Sequence, residues 1–337
     1  LDAELERLRE EGRAVQQRKE LEEKLYIKGL KYEIYKQLTE VRPLIERSAR
    51  GSREQQQAVQ TGFFRSAQFL LYTPERVGEI LDGGEQRLFY RLLVGDVYKL
   101  NEEYLRSYDR RVEPVLTRMK ELGITPKTMA RELQVGGQTY TRQDVIGMYI
   151  QMQNRLSREA VLGGDNLEKE DVYAAIKQLS DEEVEFAELL LTDFSEENFD
   201  RLQEVLVDVR NEGMRKVSRY FPMLRQNYAY ESIREQVVDD ILERSGAGFP
   251  SVKSGWRHSR VRMKRKHQLP IRHDAFNVWL TQVEAQEKYI AYQKHLQRLG
   301  KIFVTDREMG EAIRQIYGER ANKWIRKYIN DLAIPNI

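Results

Sequence analysis

Nine cations and no carboxylate occupy the 30 residues from Arg244 to His273, the densest chemical signal in this 337-residue chain. Within it, Lys253, Arg257, Arg260, Arg262, Lys264, Arg265, Lys266 and Arg272 are candidate nucleic-acid-binding residues. Guanidinium and ammonium groups neutralise phosphates. Phe249, Trp256 and Trp279 lie in or near the run and could stack on bases. The competing use of the same charge is internal. Residues 250–337 carry 18 Lys+Arg against 8 Asp+Glu, and residues 1–249 carry 38 against 46, so a tail of +10 faces a body of −8. Salt bridges to that acidic body, or to a partner protein, would also satisfy the run.

Other constellations are weaker. The four histidines, His258, His267, His273 and His295, show no HxxxH, HExxH or HxH spacing, and three lie among cations that would repel a metal ion. No metal ligand set, cofactor or catalytic residue is expected. GxSxG, GxxxxGK[ST] and GxGxxG are missing, so acyl transfer and nucleotide-fold chemistry have no motif to stand on. Gly123 to Val135 has the apolar spacing of a DNA-reading helix-turn-helix. However, Gln134 replaces the usual turn glycine and Gln143 the second-helix anchor. A short helix followed by a Gly136-Gly137 hairpin is the simpler expectation.

The elements that would carry these residues are mostly helical. Residues 2–24 are rich in Glu, Arg, Lys and Gln, as in a solvated helix or a coiled-coil arm that docks on a partner. Leu25, Tyr26, Leu30, Tyr32, Ile34, Tyr35 and Leu38 continue it as a denser apolar stripe, expected to close near Pro43. Further helices are expected over 53–72, 84–108, about 196–220 (stopped by Pro222), 228–244, 274–299, 305–317 and 319–332. Thr141-x-x-Asp144, Ser180-x-x-Glu183 and Thr305-x-x-Glu308 read as helix starts. Short strands are expected at 133–140 and 258–264. The fold class is therefore all-α: an elongated multi-helix assembly with one or two short β-strand pairs. Its expected parts are an arm (1–50), a main helical domain (51–245), a basic non-helical connector (246–273) and a helical tail (274–337).

The absence of cysteine excludes disulfides and thiolate chemistry. No apolar run reaches the roughly 18 residues a membrane helix needs. The chain opens on Leu1 rather than Met, as expected of a fragment or processed product.

Leu133-Gln-Val-Gly-Gly-Gln-Thr-Tyr-Thr-Arg-Gln-Asp-Val-Ile-Gly-Met-Tyr-Ile-Gln-Met-Gln-Asn154, then Arg158-Glu-Ala-Val-Leu-Gly-Gly164, resembles a segment of very large phage and prophage proteins. These are the helical modules called large polyvalent protein associated domains. Tyr220-Phe-Pro-Met-Leu-Arg225, Arg257-His-Ser-Arg260 and the closing helices are similar too, so the likeness spans roughly residues 60–335. It departs where the family often has Lys-Arg and His before Gly-Gly; here Gln153-Asn154 and Glu159-Ala160-Val161 stand. The resemblance implies a non-catalytic interaction module of a giant phage-derived chain, carried with DNA, in the virion interior or the host cytoplasm. Its implied partners are other segments of the parent chain or other virion proteins. DNA or RNA at the basic run and self-association through the N-terminal helix are the further expectations.

Overall fold

A computed structural model describes residues 2–49, 72–164, 166–194, 197–210, 213, 219–225 and 271–333. The all-α class is observed: helices dominate, and among the described residues the strands form two two-stranded antiparallel pairs. The chain divides into two units. Described residues 2–49, 72–101 and 292–333 belong to the first, and those between 102 and 225 and between 271 and 291 to the second.

The first unit begins with α1 (Asp2–Ala49), which runs through Pro43 instead of closing there. A proline removes its own N–H from the helical ladder and its ring crowds the carbonyl four residues earlier, so the helix continues through it at a local cost. The apolar stripe expected after Leu25 is split in two by the fold. Ile27, Leu30, Ile34, Leu38 and Val41 are buried, while Leu25, Tyr26 and Tyr32 are exposed. The buried face packs on α12 (Arg307–Tyr317), which turns at Gly318 (φ +89°) into α13 (Glu319–Ala333).

Between them lie α2 (Pro74–Leu81) and α3 (Leu88–Tyr90), which continues through a π-helical turn (Arg91–Gly95) into α4 (Asp96–Glu121). The free N–H groups at this helix start need acceptors. Buried Asp82 accepts from Arg87, Phe89 and Tyr90, while the Gln37 side chain accepts from Leu88 and donates to Asp82. At the π turn, the carbonyls of Leu92 and Leu93 accept from His295 Nε2 at 2.9 Å and Tyr328 Oη at 2.8 Å. Phe89 closes the core against Phe303 and Tyr317, with centroids 5.8 and 6.3 Å away.

In the second unit, α5 (Pro126–Met129) is capped by Thr125 and leads into β1 (Glu132–Val135). β1 pairs with β2 (Gln138–Thr141) across Gly136 and Gly137, both at positive φ. That is the two-residue hairpin geometry glycine permits. The simpler expectation of a short helix followed by a Gly136-Gly137 hairpin is observed, and a strand stands where the second helix of a helix-turn-helix would begin. Thr141 ends β2 and caps α6 (Arg142–Met152) in a capping box with Asp144, and Ser180 does the same with Glu183 for α9 (Asp181–Thr192). Between these helices lie α7 (Arg155–Gly164) and α8 (Lys169–Ile176).

α6 is apolar on nearly every side because it serves two cores. Ile146 and Ile150 pack with Val112, Phe186, Leu190 and Trp279; Val145, Met148 and Met152 pack with Val135, Val161 and Ile271. Gly147 lies against the backbone of His273, where an added Cβ would stand 1.8 Å from the carbonyl oxygen.

Two further expectations are corrected. The helix starting at 196 ends as α10 (Glu197–Arg210), and Tyr220 lies outside it after Arg219 at φ +50°. There Tyr220 and Phe221 pack edge-on against Phe194. Asp306, rather than Thr305, caps α12, accepting from Met309 N at 2.9 Å. Thr305 instead closes a second π turn, Gly300–Val304, which follows α11 (Ala275–Leu299). The helices expected over 53–72 and 228–244 and the strand over 258–264 lie outside the described residues. Among the described residues, no helix is long and apolar enough to cross a membrane.

Candidate functional site

Lys253, Arg257, Arg260, Arg262, Lys264, Arg265 and Lys266 lie outside the described residues; Arg272 is described. It stands on β4 (Ile271–Arg272), which pairs with β3 (Leu224–Arg225) in the register Leu224 to Arg272 and Arg225 to Ile271. This pairing holds the residues on either side of the 226–270 stretch next to each other. Ile271 is buried in the second core, and Gln151 Nε2 donates to the Pro222 carbonyl at 2.8 Å. Arg272 itself is half-exposed, with Nη2 3.4 Å from Asp274.

Three of the aromatic and histidine side chains singled out in the sequence are buried or fixed within the fold. Trp279, expected beside the cations as a stacking surface, is fully buried and donates its indole N–H to Asp193 at 2.9 Å. His273 is buried, its ring edge-on to Tyr140 with centroids 5.9 Å apart. His295 is fixed on the Leu92 carbonyl, and burial lowers its pKa, which favours the neutral ring.

The structure brings together a polar constellation that motif inspection missed. Arg111 on α4, with 4% of its side chain exposed, lies between two carboxylates. Its Nη2 and Nε reach Asp193 at 2.5 and 3.3 Å, and its Nη1 reaches Glu287 at 2.8 Å and Gln286 at 2.9 Å. Arg201 on α10 clasps Glu287 from the other side through both Nη atoms, at 3.1 and 2.8 Å, and reaches Ser107 at 2.6 Å. Asn198 donates to Asp193, and the Arg111 guanidinium sits 5.8 Å from the Phe194 ring centroid.

Two cations and two anions make the set neutral. Desolvation would push the Glu287 carboxyl up, but hydrogen bonds and charge from Arg111 and Arg201 outweigh it and hold the group below the usual carboxylate range. A carboxylate held ionised, with both oxygens engaged by guanidinium, is a poor proton donor or acceptor. The chemistry this arrangement supports is cross-linking of α4, α10 and α11. Its signal in the sequence is a polar residue on an apolar helical face: Arg111 among Tyr104, Tyr108, Val112 and Val115, and Glu287 in line with Leu280 and Val283.

Tyr149 Oη donates to Glu188 at 2.6 Å, and Arg219 reaches the same oxygen at 2.6 Å. Burial, then Glu188, pushes the Tyr149 phenol up to about 12, away from the range useful for proton transfer near neutrality. In the first unit, an open groove of about 560 Å³ is lined by Glu33, Gln37, Gln86, Arg87, Leu88, Tyr90, Arg91 and Gly95. The helix N–H groups beside it already serve Asp82 and Gln37. Among the described residues, no three His, Asp or Glu side chains converge as a metal-binding group.

No protein family, characterised protein or solved structure matches this chain.

Proposed function

We propose that the chain is a non-catalytic structural and interaction module of a large phage- or prophage-derived protein, held inside the virion and delivered with DNA. The observation that supports the structural part of this role is the neutral Arg111–Asp193–Glu287–Arg201 network, while the phage context rests on the sequence likeness alone. It commits the most deeply buried charges of the second unit to tying helices together. The all-α framework and the exposed apolar side chains on α1 agree with a part whose work is contact with other proteins. Fractionation tests it. The chain is expected to co-purify with nuclease-treated phage particles after density-gradient centrifugation, and its recovery only in the particle-free fraction would overturn the proposal.

A second role, nucleic-acid binding through residues 253–272, is favoured by the acid-free run and by the β3–β4 pair that holds its flanks together. Lys253, Arg257, Arg260, Arg262, Lys264, Arg265, Lys266 and Arg272 would contact phosphates without reading sequence. Duplex affinity should then fall with salt by about 0.9 log units per log[salt] for each phosphate neutralised. Charge reversal at Arg260, Arg262, Lys264, Arg265 and Lys266 should abolish binding in an anisotropy titration. Wild-type protein that fails to bind at low salt, or binding that survives the reversal, rules this role out.

A further inference from the structure

We infer that α1 is the contact surface of an antiparallel dimer of this chain, formed by residues 18–40 and centred between Lys28 and Gly29. The inference goes beyond a general capacity for interaction, because it assigns the partner, the direction and the register. At 100° per residue, Leu21, Leu25 and Tyr32 project from the side of α1 opposite the buried Ile27, Ile34 and Leu38. They are 57, 59 and 71% exposed. A helix that already buries one apolar face has no internal reason for a second.

Gly29 lies between Leu25 and Tyr32 on the same exposed side, and an added Cβ there would meet nothing within 4 Å. Glycine in a helix interior is unfavourable relative to alanine, because it loses more backbone freedom on folding. Packing among the described residues does not account for it. Close approach of a second helix does.

Charge decides what the second helix is. With the two-fold axis between Lys28 and Gly29, Leu25 of each copy seats on Tyr32 of the other. Opposite charges then flank this pair: Glu22 falls one residue from directly opposite Lys36, and Arg18 one residue from directly opposite Glu40, offsets of about 1.5 Å that such long side chains span, each pair occurring twice. All four side chains are exposed. The contacts that Arg18 makes with Glu22 and Glu40 with Arg87 are surface pairs of the kind that contribute little and exchange readily. A parallel pairing would instead set each of these charges against its own copy. The surface is self-complementary in one direction only, as a closed two-fold contact requires.

The chain has no cysteine, so one introduced thiol reports its own position. In the full chain, Gly29→Cys should be cross-linked to dimer by a bismaleimide too short to span two helical turns. Leu21→Cys should not, because antiparallel copies of position 21 lie about 22 Å apart along the axis at 1.5 Å per residue. Sedimentation of the unmodified chain should show a concentration-dependent monomer–dimer equilibrium. Glu22→Lys should weaken it at least about tenfold, since the symmetry applies each change twice. The double variant Glu22→Lys, Lys36→Glu should restore it, with far-UV circular dichroism unchanged throughout. A chain that stays monomeric at every concentration overturns the inference. So does Leu21→Cys cross-linking as well as Gly29→Cys, or a double variant that stays weak. Every readout is oligomeric state, so the outcome is independent of whether the chain enters phage particles.

Discussion

Glu287 carries no visible motif, yet it is the residue on which two arginines depend. Glu287→Gln leaves Arg111 buried with one fewer counter-charge and is expected to cost about 3 to 5 kcal/mol, measured by urea denaturation at pH 7. Its pKa is lowered on folding, so its contribution is fully present above the unfolded value near 4.5 and is lost as pH falls through the lower folded value. The stability gap between wild type and Glu287→Gln should therefore be constant at neutral pH and shrink only in strong acid. A gap that shrinks on raising the pH through neutrality would contradict this sign. Gly147 is the second sensitive residue. Gly147→Ala drives a methyl into the His273 carbonyl, and a loss of about 3 kcal/mol or more is expected by the same measurement.

At the scale of elements, local chemistry was readable from sequence and distant chemistry was not. The Gly136-Gly137 hairpin and the Thr141 and Ser180 capping boxes need only residues within a few positions of one another. The α12 start was misread by one residue because Thr305 and Asp306 are both good cap types. The choice fell to the π turn that Thr305 closes and to Lys31, which pairs with Asp306 at 2.6 Å. Asp306→Ala is accordingly expected to cost about 1 kcal/mol and Thr305→Ala markedly less, by chemical denaturation. The α10 end was misplaced because Pro222 marks only where a helix must have stopped. Arg111 and Asp193 are 82 positions apart, and Arg111 and Glu287 are 176. Only helix packing brings them together, so spacing could not announce the network. What could be read was Arg111 on an apolar face, which demands a buried partner without naming it.

For the whole molecule, composition and periodicity were enough to identify an all-α chain. The partition of charge into −8 and +10 raised the question of what the basic run meets. The structure changes that question at its edges. Trp279 is withdrawn into the core, Arg272 pairs with Asp274, and β3 and β4 hold the flanks of the run together. The role proposed for this molecule is contact, as an internal component of a phage particle that leaves with the DNA. Quantitative mass spectrometry of protease-treated particles, before and after triggered DNA ejection, tests it most directly. The account predicts that peptides of this chain are protected in full particles and depleted from emptied ones. Peptides digested from intact particles, or retained undiminished after ejection, would contradict it.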